Sequence, residues 1–446
     1  MNYHDSERIA GLLDESGLER TADEREADAV IVNTCSVRER AEDQLYTRLG
    51  EFRTQAAELG RRPVVVVTGC VAQQEGRRLV ERDRSIDLVV GTQALKRLPH
   101  LIDGVTGRSG PGLAPAHVVD INPYEDVSFP LGLARHSDPV RAWVTIIEGC
   151  NEYCAFCVVP YTRGHERMRP WRAIVAEAAE AARTGHREVQ LLGQIVNHYQ
   201  APDDPDCDLA ELLARVSAVD GIDRIRFASP HPRHVTPRLV AAIRDLPKVC
   251  RHLHLPVQSG STRVLASMRR RYTRESYLDL VAGARAAVPG LALSTDMIVG
   301  FPGETAEDFE ATLDLVRAVR YHAMYSFKYS PRPNTLAAKR LPDDVPEAEK
   351  TRRIVALQRL QQEIQAELYR AMVGTEELVL IDGRSRRRAS ELAGRTEGHT
   401  VVNLPGPAEW IGRLVPVRIV AAAPNSLRGE AVALPIEQRR EVSHAG

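Results

Sequence analysis

Cys150, Cys154 and Cys157 stand in the run Gly149-Cys150-Asn151-Glu152-Tyr153-Cys154-Ala155-Phe156-Cys157, a C-x3-C-x2-C spacing. Cysteine thiolate is the usual ligand of iron–sulfur clusters. Three thiolates this close together suit three irons of a 4Fe–4S cube and leave the fourth iron open to a small chelating molecule. Other readings fit less well. A structural zinc site wants four ligands, and His165, the nearest further candidate, does not follow at a zinc-like spacing. A disulfide leaves one cysteine over and needs an oxidising compartment.

A second pair of thiols is marked by its surroundings. Cys35 follows Val30-Ile31-Val32-Asn33-Thr34, and Cys70 follows Val64-Val65-Val66-Val67-Thr68-Gly69. Each falls where a buried strand gives way to a helix, the edge at which open α/β sheets bind ligands. If the two strands are neighbours, the thiols meet there and a metal role follows. The alternative is that both are small buried residues. Cys207 and Cys250 follow no ligand spacing and read as plain thiols.

The elements that must hold these residues alternate. Asp5 to Ser16 reads as a helix with Ile9, Leu12 and Leu13 on one face. Strands at 29–32, 64–67 and 88–90 alternate with helices at 37–59, 73–82 and from Gln93, a small parallel α/β domain over residues 1–107. The stretch from Gly104 to Pro115 reads as a linker, and Val118 to Asp138 as irregular. From Val140 six strands are expected, at 143–148, 189–192, 224–228, 252–256, 291–299 and 324–329, with helices between them. That count gives a partial (β/α)6 barrel within residues 136–368, short of the roughly 250 residues of a full eight-unit barrel. The triad follows the first of these strands and so sits at their carboxyl ends. Pro346 to Met372 is a long charged helix, and short strands within 369–436 suggest a small β-barrel of about five strands.

The chain has 446 residues, a net charge of −1 and 43% hydrophobic residues, so any RNA contact must come from local patches. The polar start, Met1-Asn2-Tyr3-His4-Asp5-Ser6-Glu7-Arg8, has no apolar signal region. No apolar run reaches membrane-spanning length. A cytoplasmic monomer without membrane contact is expected.

With the aromatic Phe156 just before its third cysteine, the triad resembles that of the radical S-adenosylmethionine (SAM) enzymes. The resemblance implies that the open iron binds the amino and carboxylate groups of SAM, and that an electron from the cluster cleaves SAM to a 5′-deoxyadenosyl radical. Further runs are similar to the methylthiotransferase family, above all its tRNA-modifying branch. They are 33–38 (NTCSVR), 68–70 (TGC), 148–164 (EGCNEYCAFCVVPYTRG), 191–199 (LLGQIVNHY), 252–261 (HLHLPVQSGS), 295–305 (TDMIVGFPGET), 327–333 (FKYSPRP), 383–387 (GRSRR), 394–396 (GRT) and 401–403 (VVN). The likeness covers the whole length and implies a methylthiotransferase domain, a radical SAM domain and a C-terminal TRAM domain.

The resemblance implies addition of a 2-methylthio group to N6-isopentenyladenosine next to the tRNA anticodon. It also implies a 4Fe–4S cluster on Cys150, Cys154 and Cys157, SAM, tRNA as substrate, and an electron-donor protein such as a flavodoxin or ferredoxin. A second 4Fe–4S cluster would sit on three N-terminal cysteines, of which Cys35 and Cys70 match two. The first, in a run ahead of the opening helix, has no counterpart, and a start site placed too late is the expected reason. Ile195 departs from the Asn expected of the isopentenyladenosine branch; alternative readings are the threonylcarbamoyladenosine or ribosomal-protein branch, or an RNA-binding iron–sulfur protein without sulfur insertion.

Candidate contacts for SAM or substrate are Gly193 and Gln194 after the second barrel strand, Ser229 after the third, His254 on the fourth and Asp296 on the fifth. Each could equally be an interior polar residue that fills the barrel. No acid–base residue is nominated, because the cofactor carries the hard chemistry. Arg384, Arg386, Arg387 and Arg388 form a basic cluster suited to phosphate, or else a solvated turn. With a small β-barrel of TRAM type, RNA binding is expected. Arg269, Arg270 and Arg271 form another basic run, near the barrel mouth or on a helix face.

Overall fold

Valine-rich strands that bury both faces build the first sheet. The computed structural model describes residues 1–35, 39–106, 117–122, 134–386 and 388–435. Strands β1 (Ala29–Thr34), β2 (Val64–Gly69), β3 (Leu88–Val90) and β4 (Val118–Asp120) pair in parallel in the order β1-β2-β3-β4. On one face Leu45, Leu49 and Phe52 of the helix Glu39–Leu59 cover Val65 and Val67. On the other, Ile9 of the helix Asn2–Glu15 and Leu98 and Ile102 of the helix Leu98–Val105 cover Val66, Leu88 and Val90.

Three details differ from the sequence reading. The helix expected over 73–82 is two, Cys70–Glu75 and Arg77–Arg82, broken at Gly76 with φ +50°. The helix expected from Gln93 begins as a 3-10 turn at Leu95–Arg97. The stretch from Val118 contributes β4, whose three residues complete the sheet beside β3. Most of the expected linker, from 107 on, and residues 36–38 lie outside the described residues.

The middle of the chain supplies six parallel strands, β5 (Arg141–Thr145), β8 (Glu188–Leu192), β9 (Arg224–Phe227), β10 (His252–His254), β11 (Ala292–Val299) and β12 (Ala323–Lys328). Between β5 and β8, the short β6 (Ile147–Glu148) and β7 (Arg167–Met168) pair antiparallel and carry the cysteine loop between them. The strand expected at 143–148 is therefore broken after Thr145. The six strands form two sheets, β5-β8-β9 and β10-β11-β12, joined by one parallel bridge, Ile225 to Val249. The result is an open half-barrel. Helices on its outer side start at side-chain caps: Asp208, Thr236, Ser261, Thr273 and Thr305 each accept a backbone N–H of the first turn. Leu357 and Ile364 of the long helix Glu347–Ala371 join the same core.

That helix leads into a closed five-stranded barrel of β13 (Glu376–Arg384), β14 (Glu391–Arg395), β15 (Val401–Pro405), β16 (Leu414–Ala423) and β17 (Ser426–Ala431), ordered β13-β14-β15-β17-β16. Val379, Ile381, Val402, Leu404, Val415 and Val417 fill it. It docks on the amino ends of the half-barrel strands. Arg224 donates to the carbonyls of Leu378 and Arg395, Arg226 donates to those of Thr396 (2.7 Å) and Glu397 (2.8 Å), and Arg141 pairs with Asp382. Among the described residues no helix is long and apolar enough to cross a membrane.

Candidate active site at the mouth of the half-barrel

The cysteine loop is held by close backbone contacts. Cys150 N–H donates to Gly164 O (3.1 Å), Cys157 N–H to Cys154 O (3.0 Å) and Ala155 N–H to Met268 O (2.9 Å). Gly149 has φ +80°, and a Cβ there would lie 2.0 Å from the His165 carbonyl oxygen, so only glycine fits. Cys150 and Cys154 are buried. Burial, reinforced by the neighbouring Cys154, pushes the Cys150 and Cys157 thiols up to about 12. Left to themselves these thiols keep their protons, and a metal ion that binds them must displace those protons.

The two N-terminal cysteines meet as the strand ends require. β1 and β2 pair in register with Thr34 opposite Gly69, so Cys35 and Cys70 follow paired residues. Gly69 has φ +92°, and a Cβ there would meet Asn33 Oδ1 at 2.4 Å and Thr34 O at 2.6 Å. The turn into Cys70 thus lies directly against β1. All five cysteines line one cavity of about 1120 Å³ between the N-terminal sheet and the mouth of the half-barrel. Cys207 and Cys250 are buried elsewhere.

Gly193, Gln194, Ser229 and Asp296 line this cavity; His254 does not. It lines a second space of about 240 Å³ deeper in the half-barrel, which shares Ser229 with the first. From there His254 Nδ1 meets Ser294 Oγ at 2.9 Å and its Nε2 approaches Asp296 Oδ1 at 3.6 Å. On the short strand β10, His254 therefore backs Asp296 instead of facing the mouth. His252 shares the interior face, with Nε2 3.0 Å from Ser294 Oγ.

Among the lining residues not named from sequence as site residues are His231, Gln258 and Arg270. His231 Nδ1 accepts the Arg233 amide (3.2 Å), which puts its ring proton on Nε2. Burial pushes this imidazole down to about 2, so it stays neutral, and Nε2 has no partner among the described residues. Gln194 Oε1 is likewise buried without a partner among the described residues. Gln258 and Ser229 hold left-handed backbone, φ +76° and +63°, a strain that gathers at functional sites. An unpaired donor and an unpaired acceptor beside three clustered thiols suit a polar ligand bound next to a metal cluster. Cys35 and Cys70 stand on the opposite wall.

The wall is tied to the mouth by buried polar contacts. Asp5 pairs with Arg163, Arg8 Nη1 donates to Glu148 Oε1 at 2.7 Å, and Gln93 Nε2 donates to Arg163 O at 2.9 Å. At the far end, Arg384, Arg386 and Arg388 are exposed on the β13–β14 hairpin. Arg384 Nη1 donates to Ala389 O (3.1 Å) and Arg388 pairs with Glu391 (3.0 Å). Arg387 lies outside the described residues. Arg270 lies near the barrel mouth, one of its two expected positions, in the turn after the helix Thr262–Ser267.

Comparison with known proteins agrees with this layout. The Radical SAM superfamily matches residues 144–316, the Uncharacterized protein family UPF0004 residues 1–91, and the TRAM domain residues 370–432. The radical SAM methyltransferase TsrM from Kitasatospora setae, solved with cobalamin and a [4Fe-4S] cluster, shares the fold at TM-score 0.55 and 16% identity, over 75% of this chain and 70% of that one. The cobalamin-dependent radical enzyme OxsB does so at TM-score 0.51 and 12% identity, over 80% and 53%. The tRNA-2-methylthio-N(6)-dimethylallyladenosine synthase of Alkalilimnicola ehrlichii is 46% identical over 97% of this chain and 96% of its own length. That of Geobacter metallireducens is 45% identical over 96% of both. At this identity and coverage, the chain belongs to the tRNA-2-methylthio-N(6)-dimethylallyladenosine synthase family.

Proposed function

We propose that this protein is a radical SAM methylthiotransferase that places a 2-methylthio group on N6-isopentenyladenosine next to the anticodon of tRNA. The observation that carries the reading is the single cavity lined by the Cys150–Cys154–Cys157 loop on one side and Cys35 and Cys70 on the other. Cys150, Cys154 and Cys157 would hold a 4Fe–4S cluster. Bound there with SAM, the cluster supplies one-electron cleavage and hydrogen-atom abstraction from an unreactive carbon, with electrons from a flavodoxin- or ferredoxin-like protein.

The chain's own residues bind, orient and shield. His231 offers a neutral N–H and Gln194 a carbonyl oxygen, both aimed into the cavity without internal partners. Asp296 offers an acceptor, with His254 Nε2 3.6 Å behind it. The N-terminal sheet roofs the cavity, and its ionic seam to the cysteine loop keeps the wall in place. Cys35 and Cys70 face the reacting space as two thiols and would contribute ligands to a second cluster. The exposed arginines of the β13–β14 hairpin would take RNA phosphates.

The test is anaerobic reconstitution with iron and sulfide, then incubation with SAM, reductant and isopentenylated tRNA, digestion and mass spectrometry. A methylthio nucleoside is expected, and its loss to below about one part in a thousand in C154A, together with the iron of one cluster, since the cofactor carries the hard step. SAM cleavage without that product would point instead to radical chemistry uncoupled from sulfur insertion. Intact tRNA and intact SAM at full iron content would refute the reading.

A further inference from the structure

Arg270 carries a full charge in a place that gives it no carboxylate. The residue is 5% exposed and lines the main cavity. Its Nε donates to Tyr272 Oη (2.9 Å), its Nη2 to Pro256 O (3.0 Å) and its Nη1 to Cys154 Sγ (3.3 Å). None of these partners is an acidic side chain. A buried guanidinium without an anion is strongly disfavoured. The Cys154 sulfur it meets is one of the three that would ligate the cluster, and a cysteine bound to iron is a thiolate.

The backbone is shaped to bring this about. The helix Thr262–Ser267 ends in a Schellman motif: Arg269 N–H donates to Ala266 O (3.0 Å) and Arg270 N–H to Leu265 O (2.9 Å). Arg269 occupies the left-handed position, φ +59°, and Arg271 is left-handed too, φ +60°. The two flanking arginines are exposed while the middle one turns inward. The same turn accepts Ala155 N–H at Met268 O, which anchors it to the cysteine loop.

Resting on the reading that the triad holds a cluster, we propose that Arg270 is a positioning residue that compensates the charge on Cys154. By donating to that sulfur it sets how readily the cluster takes up an electron. Hydrogen bonds to the sulfurs and local charge both set the potential of such centres. A fixed positive charge favours the more negative, reduced state, so its removal shifts the midpoint potential to more negative values.

The experiment compares the parent protein with Arg270→Gln and Arg270→Lys. Each full-length chain is reconstituted anaerobically, its iron and sulfide are counted, and the cluster is titrated with dithionite while the EPR signal is followed. A parent that takes up no cluster refutes the parent reading and not the role of Arg270. With the parent loaded, the expected result is full iron in all three, a more negative midpoint in Arg270→Gln, and a midpoint in Arg270→Lys that stays nearer the parent. Loss of iron from Arg270→Gln alone also supports the proposal, because glutamine keeps donors but not the charge. Equal potentials in all three at full iron, or a lysine variant that fails as badly as the glutamine one, overturns it.

Discussion

Asp308 shows how one side chain can organise the approach to the site. It accepts from Ser261 Oγ (2.6 Å), Thr305 N–H (2.8 Å) and Thr305 Oγ1 (2.9 Å), and it pairs with Arg263. It thereby caps its own helix and fixes the start of Thr262–Ser267, the helix that leads to Arg270. Burial alone would raise its carboxyl, but the hydrogen bonds from Arg263, Ser261 and Thr305 win and hold it well below the ordinary value of 3.8. A depressed carboxyl stabilises the fold above its ordinary value and loses that contribution as pH falls below it. Asp308→Asn should cost about 1–3 kcal/mol at neutral pH. In urea unfolding, the gap between parent and variant should narrow as pH drops below 3.8. The cysteines were legible at this scale because their spacing is local. Arg270 was not: in Arg269-Arg270-Arg271 nothing in the residue types says which guanidinium turns inward. His254 shared a face with His252 as period two requires, yet the depth of that face below the mouth depends on the length of β10.

Elements were legible where apolar runs were long. The valine strands and the six half-barrel strands came through; β4 did not, because Val118-Val119-Asp120 is too short to alternate and is a strand only beside β3. The break after Thr145 also escaped the pattern, since Ile146, Ile147 and the residues before them are alike in hydrophobicity and only the turn to Arg167–Met168 separates them. Backbone strain is a property of elements too. Arg269 stands at the left-handed position that helix ends of this kind usually give to glycine. Arg269→Gly should raise stability by about 1 kcal/mol, since a left-handed non-glycine residue pays about that much. A thermal melt that moves downward would show that the arginine side chain contributes more than its backbone costs. The seam between the first helix and the cysteine loop behaves in the opposite sense. Asp5→Ala strands the buried Arg163 and should cost about 3–5 kcal/mol, read as a lower urea midpoint.

The whole molecule separates its two polar ends. The cysteines lie at the carboxyl ends of the half-barrel strands, and the five-stranded barrel is fastened to the amino ends by Arg224, Arg226 and Arg141. The basic hairpin follows directly from that attachment, since Arg384 ends the strand that carries Asp382. Changing Arg384, Arg386 and Arg388 together to alanine should weaken tRNA binding on the order of tenfold and flatten its salt dependence by up to about one log unit for each phosphate no longer neutralised. Filter binding at several salt concentrations checks this, while iron content and SAM cleavage stay at parental levels.

The separation has a bearing on what counts as a good substrate. β11, the longest strand of the half-barrel, has eight residues, a climb of about 26 Å at 3.3 Å per residue. A lone nucleoside, or a trinucleotide cut from the loop, reaches one end of that climb and leaves the other untouched. If the hairpin arginines take RNA phosphates as proposed, a folded stem with its loop is tall enough to be gripped below while its unpaired base is offered above, and height becomes a condition on the substrate.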